Sequence, residues 1–247
     1  TKTITLDDTA PSITIATTLE GDNKVNASED GHVVVSGTSS GLESGRTVTV
    51  TLADSSSTVS TTATVLSSGA WVAESADISA LTDGNITVTA NASDTAGNAA
   101  SAVTATITLD NAAPTITIAT TLEGDNIVNI DEDATVIISG TTANVEDAQT
   151  VTVTFSDGTT TISKTADVSS DAFALSGGQI ADITNLNDGP ITVTASVSDA
   201  HGNAAIAATR TITLDNLAPQ VSIDATLEVD NIVNNAEEGS VVVTGTS

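Results

Sequence analysis

The feature that most constrains this chain is that it repeats itself. Segment 3–26, TITLDDTAPSITIATTLEGDNKVN, returns at 106–129 as TITLDNAAPTITIATTLEGDNIVN, and the two differ only at Asp8/Asn111, Thr9/Ala112, Ser12/Thr115 and Lys24/Ile127. The offset is 103 residues, and a third copy, TITLDNLAPQVSIDATLEVDNIVN, begins at Thr211. A period of roughly 100 residues is too long for a solenoid coil or a propeller blade and matches one small β-sandwich. The chain is therefore expected to divide into the last strand and linker of one unit (1–10), two complete repeats (11–113 and 114–218), and the first part of a third, truncated unit (219–247). Opening at Thr1 within a strand-like stretch, it reads as a piece of a longer protein.

Inside each repeat the pattern has period two. Residues 47–52 read Thr-Val-Thr-Val-Thr-Leu, and 86–90 and 104–109 alternate in the same way, as half-buried antiparallel strands do. No stretch combines helical spacing with caps. Strands are expected in repeat one at 12–19, 32–38, 46–53, 58–66, 70–75, 85–93 and 99–109. Seven strands in a unit of roughly 100 residues is an immunoglobulin-like count. The expected fold class is thus all-β, as tandem immunoglobulin-like β-sandwiches arranged end to end. Trp71 and its counterpart Phe173 are expected to plug their own cores.

The 32 Asp and Glu face 5 Lys and Arg, a net charge of −27. Such a surface repels nucleic acid and anionic lipid and suits a cation as partner. The absence of cysteine removes disulfides, thiolate ligands and cysteine nucleophiles together. No run of 18 apolar residues occurs, so this segment is not expected to enter a membrane.

The acids recur at turns. Each last strand runs into an Asp-Asx-x-Ala-Pro linker: Asp7 and Asp8, Asp110 and Asn111, and Asp215 with its following Asn. Between the first two strands lies Leu-Glu-x-Asp-Asn-x-Val-Asn with a later Glu, giving Glu20, Asp22 and Glu29, then Glu123, Asp125 and Glu132, then Glu228, Asp230 and Glu237. The turn before the sixth strand adds Asp83 and Asp188, preceded by Asp77 and Asp182. The turn after it, Ser-Asp-x-x-Gly-Asn, adds Asp94 and Asp199. If strands alternate in direction, the first three groups share the end from which the chain exits, and Asp199 faces Asp110 across the linker. Such turns also form through Asx hydrogen bonds alone, but convergence of three groups on one junction points to calcium, which takes six to eight oxygen ligands at variable geometry. Magnesium demands a stricter octahedron. Zinc is not expected, because His32 and His201 occupy non-equivalent positions and have no cysteine company.

These linker and turn motifs resemble the bacterial immunoglobulin-like extender repeats of giant type I-secreted (RTX, biofilm-associated) adhesins, and the resemblance covers the whole chain. It implies calcium ions bound at domain junctions, neighbouring repeats as partners, a monomeric rod on the bacterial cell surface, and a stalk that holds a distal adhesive tip away from the cell. Asp8 departs from the Asp-Asn pattern of the later linkers, so equal affinity at every junction is not implied.

An enzyme is not expected. His201 aligns with Ala96 and His32 with Thr135, so no nucleophile, base and orienting acid recur together. Acids at turn tips also lack the apolar pocket that makes a general acid. The alternative is a direct ligand-binding module for glycan or ice, built on threonine rows such as Thr47, Thr49, Thr51, Thr87 and Thr89. Outward threonines are, however, what β propensity produces unaided.

Overall fold

A computed structural model describes residues 2–225, 231–236, 238–239 and 241–247. Glu228, Asp230 and Glu237 lie outside the described residues. Repeat one contains β1 (Ser12–Ile15), β2 (Lys24–Asn26), β3 (Ser36–Ser40), β4 (Thr47–Ala53), β5 (Thr58–Thr64), β6 (Ala70–Val72), β7 (Gly84–Ala92) and β8 (Val103–Asp110). Repeat two follows with β9 (Thr115–Ile118), β10 (Ile127–Asn129), β11 (Ser139–Ala143), β12 (Thr150–Ser156), β13 (Thr161–Asp167), β14 (Ala172–Ala174), β15 (Gly189–Ser196) and β16 (Ala208–Asp215). Beyond them β17 (Ser222–Ile223) pairs with β18 (Gly245–Thr246). No described helix is long and apolar enough to cross a membrane.

Each repeat is a sandwich of two sheets. In repeat one a three-stranded sheet ordered β1-β3-β6 faces a five-stranded sheet ordered β2-β8-β7-β4-β5, and repeat two has the same topology. The alternation of Val and Thr builds the layers. Val48, Val50 and Leu52 of β4 are fully buried, whereas Thr47 and Thr49 between them face solvent. The two repeats have separate cores, one containing Trp71, Leu52, Ile78, Ile86 and Ile107, the other Phe155, Phe173, Ile138, Ile183 and Ile191.

Two differences from the expected strands have physical causes. The first strand ends at Ile15 rather than continuing to residue 19, and the chain crosses to the opposite sheet to form β2, parallel to β8. Positive φ at Glu20, Gly21 and Asn23 makes that crossing, and the Asn23 carboxamide oxygen accepts the Leu19 N–H at 2.8 Å. The third strand starts at Ser36 rather than residue 32. Its approach is a 3-10 turn at Asp30–His32, after which the Val34 N–H donates to the Glu20 carboxylate at 2.7 Å instead of to a strand.

The aromatic plugs lie across glycines. Trp71 pairs with Gly37 across β6 and β3, and Phe173 pairs with Gly140 across β14 and β11. A Cβ on Gly37 would fall 1.9 Å from the Thr14 carbonyl oxygen and 2.4 Å from the indole, while the Trp71 Nε1–H donates to the Thr38 carbonyl at 3.2 Å. Gly37→Ala is expected to destabilise repeat one by about 3 kcal/mol through this overpacking. Urea unfolding followed by the fluorescence of Trp71, the chain's single tryptophan, checks it, and an unchanged midpoint would contradict the packing described.

Candidate metal-binding junction

The junction between sandwiches is built from carboxylates that accept backbone N–H groups. Asp110 Oδ1 accepts from the Ala112 N–H at 2.9 Å, turning the chain just after β8. Asp7 and Asp215 make the same turn with Thr9 and Leu217. The next residue is tied back to the sandwich it leaves: the Asn111 N–H donates to Asp83 and the Asn216 N–H to Asp188, at 3.0 and 3.1 Å. The proline that follows has no N–H to place and a fixed φ, so it opens the next sandwich.

On the far side of the linker, the loop after β15 is organised by Asp199. Its Oδ1 accepts from the His201 and Asn203 N–H groups, and its Oδ2 accepts from the Asn203 carboxamide at 2.8 Å. Asp199 is 5% exposed and shapes its own loop. Asp94 does the same in repeat one, and the hydrogen bond from the Asn98 side chain, followed by those from backbone amides, holds its carboxyl below the usual range. The loop thus shaped presents Asn203, whose Nδ2 donates to the Asp110 carbonyl at 2.9 Å. The equivalent Asn98 donates to the Asp7 carbonyl at 3.1 Å, so one junction geometry occurs twice.

Further contacts are specific to the junction between repeats one and two. Lys24 Nζ donates to the Ala200 carbonyl at 2.7 Å, Asn26 Nδ2 donates to the His201 carbonyl at 3.0 Å, and the Ala27 N–H donates to Asn203 Oδ1 at 2.9 Å. His201 reaches back to repeat one, with Nε2 at 3.2 Å from Thr108 Oγ1 and Nδ1 at 3.4 Å from Asp110 Oδ2. Glu146 closes the group, its Oε2 accepting from the Ala200 N–H at 2.8 Å. Ligand atoms of Asp110, Glu146 and His201 all lie within 4.8 Å of one another.

The remaining acids named from the sequence, apart from Asp8 and those outside the described residues, are each committed to a local amide. Glu20 and Glu123 accept from the N–H groups of Val34 and Ile137, Asp22 and Asp125 from Lys24 and Ile127, and Glu29 and Glu132 from Asn26 and Asn129. Asp77 and Asp182 accept the hydroxyl and N–H of Ser79 and Thr184, which depresses both carboxyls. One acceptor type stands apart. The Oδ1 atoms of Asn111 and Asn216 are buried and receive no hydrogen bond, although Asn216 Nδ2 donates to the buried Asp133 at 3.0 Å.

Sequence reasoning passed over Asp133, Glu146 and the pair Asp54 and Asp157. Asp54 Oδ1 accepts from the Ser56 and Ser57 N–H groups and its Oδ2 from the Thr82 N–H, tying two loops together; Asp157 does the same with Thr159, Thr160 and Asn187. Backbone donors, that of Thr82 foremost for Asp54 and that of Thr160 for Asp157, push both carboxyls far below the usual range. The available signal was recurrence at the repeat offset.

These depressed carboxyls fix a pH dependence. A carboxyl lowered in the folded chain contributes stability that is complete well above its unfolded value of about 3.9 and is lost as pH falls through the folded value. Asp54→Asn is therefore expected to lower the melting temperature of repeat one at pH 6, with the gap to wild type narrowing towards pH 2. Thermal unfolding read by Trp71 fluorescence checks this, and a gap independent of pH would contradict it.

No family model matches the chain, and no curated protein matches it. Among solved structures it is similar to the tetra-tandem repeat in the extending region of a large adhesion protein, at 30% identity over 96% of this chain and 56% of that one, with a TM-score of 0.41. It is similar also to a Ca2+-stabilised adhesin with which an Antarctic bacterium binds ice, at 29% identity over 98% of this chain and 58% of that one, TM-score 0.46. A bacterial immunoglobulin-like domain of the M. primoryensis ice-binding adhesin matches at 26% identity over 42% of this chain and 98% of that one, TM-score 0.28. The chain spans just over half the length of the first two. These neighbours are repeats of bacterial adhesins, not enzymes.

Proposed function

We propose that this chain is part of the extender stalk of a large bacterial surface adhesin, a row of sandwiches stiffened at their junctions by calcium. The observation that carries the reading is the recurring junction, in which Asn98 grips the Asp7 carbonyl as Asn203 grips the Asp110 carbonyl. A contact repeated at successive linkers fixes the direction in which each sandwich follows the last, and that is what a stalk requires. Similarity to an extending-region repeat and to a Ca2+-stabilised adhesin supports it.

Calcium is supported by what the junction leaves unsatisfied. A buried amide oxygen without a donor costs free energy, and the two that occur at Asn111 and Asn216 stand at equivalent linker positions. The backbone N–H of each residue donates to an acid of the preceding turn, Asp83 or Asp188, and the Asn216 carboxamide nitrogen donates to Asp133. Amide oxygens and carboxylates are calcium ligands, and a hard cation satisfies both while relieving the repulsion among them. The residues in question would hold the ion: Asn111, Asp83 and Asp110 at one end, Asn216, Asp188, Asp133 and Asp215 at the other.

Extracellular modules bind calcium with dissociation constants of roughly 0.1 to 1 mM, so sites of that kind fill outside the cell and stay empty in the cytosol. At ten times the dissociation constant each site adds about 1.4 kcal/mol. The melting temperature and the maximum dimension from small-angle scattering are therefore both expected to rise between chelator and millimolar calcium, with magnesium ineffective. Unchanged values would end the calcium reading. Asn111→Ala is expected to reduce the calcium-dependent rise while leaving the melting temperature in chelator within about 2 °C, because the atom it deletes makes no hydrogen bond without an ion.

A further inference from the structure

We infer that the junction between repeats one and two carries a second kind of metal site, for a borderline transition-metal ion such as Zn2+, formed by His201 Nδ1 with Asp110 and Glu146. It is distinct in chemistry from the calcium sites, whose ligands are all oxygen.

The inference starts from the ring. The His201 Nε2 side meets the Thr108 hydroxyl at 3.2 Å, a contact in which either atom donates according to the ring tautomer. Nδ1 is buried, has no hydrogen-bond partner, and points at Asp110 Oδ2, 3.4 Å away. In the tautomer with the proton on Nε2, the ring turns a lone pair towards one carboxylate with a second alongside, and a cation between them satisfies all three. A hydrogen bond from one imidazole nitrogen that orients the other towards a metal is also the usual outer-shell arrangement of histidine ligands. Glu146 is oriented likewise, by the Ala200 N–H on its Oε2.

Geometry and donor type then choose the ion. Ligands about 2.1 Å from a tetrahedral zinc stand about 3.4 Å apart, which the His201–Asp110 pair already matches. The three ligand atoms lie within 4.8 Å of one another. One nitrogen and two carboxylates leave a fourth position for water, the arrangement of open zinc sites. Calcium gains little from an imidazole. The site adjoins a solvent-open cleft of about 420 Å3 lined by Asp110, Asn144, Glu146 and Asp171, through which an ion enters.

The site belongs to this junction alone among those described. The position of His201 is Ala96 in repeat one, so the preceding junction has Asp7 and Glu43 but no imidazole. Since Asp110, on repeat one, and His201 and Glu146, on repeat two, would share the ion, zinc would clamp one defined point of the stalk. Zinc was not expected from the sequence because His201 has no equivalent within its repeat set and no cysteine company; its partner Asp110 comes from across the linker.

The test uses the full untagged chain in saturating calcium, titrated with zinc sulfate while NMR follows the ring nitrogens of both histidines. Zinc is expected to shift the His201 Nδ1 resonance at substoichiometric addition and to leave His32 in place. His201→Ala, which restores the residue of repeat one, is expected to weaken zinc binding at least tenfold in calorimetry; His32→Ala is expected to leave it unchanged. Zinc that moves neither ring, moves both alike, or binds His201→Ala as well as wild type would overturn the inference. The calcium-dependent rise in melting temperature is expected to survive in His201→Ala, so failure of this site and failure of the calcium reading are distinguishable.

Discussion

The organisation of the molecule depends on one interaction repeated many times, a carboxylate accepting the N–H groups of its own turn. The strand ladders are generic, since Val and Thr alternation would build a sandwich with many loop arrangements. Where each loop goes is decided by acids. Asp54 and Asp157 join two loops, Asp94 and Asp199 fold the loop that meets the previous sandwich, and Asp83 and Asp188 tie down the chain as it leaves. Hydrogen bonds to an ionised acceptor are stronger than neutral ones, which lets a chain without disulfides hold long loops in place.

That use of acids creates an electrostatic problem that a bound metal would solve. A carboxylate that accepts from amides retains its charge, and the basic residues are far too few to balance it. At the linkers the remaining oxygens of two sandwiches meet. The buried, undonated Asn111 and Asn216 oxygens mark where the protein's own donors run out. In the proposed reading, loop formation and ion binding are therefore successive uses of the same side chains, and assigning an acid to a turn does not withdraw it from a metal.

Much of this was legible in the chain. The repeat gave the size of the folding unit, and period-two threonines gave strands and their buried faces. The short strand β2 was hidden because Lys24–Asn26 sits among residues of turn type, and its ladder to β8 is a long-range pairing that local pattern does not encode. Asp54 and Glu43 recur at the repeat offset as Asp157 and Glu146, but their roles depend on which loops lie side by side. Asp199 was expected to face Asp110; it holds the Asn203 carboxamide that donates to the Asp110 carbonyl, and its loop brings His201 to the Asp110 carboxylate. His201 was illegible for a related reason: comparison within the repeats sets it against Ala96, whereas its contacts lie in the neighbouring sandwich.

The central claim is that linker amide oxygens without protein donors are calcium ligands. Crystals of the chain grown in millimolar calcium, with anomalous differences collected at a long wavelength, test it most directly. The account predicts ions within about 2.3–2.6 Å of Asn111 Oδ1 and of Asn216 Oδ1, each also touching Asp83 or Asp188. Density for those oxygens bonded only to water or to protein donors, with calcium absent from both linkers, would contradict it.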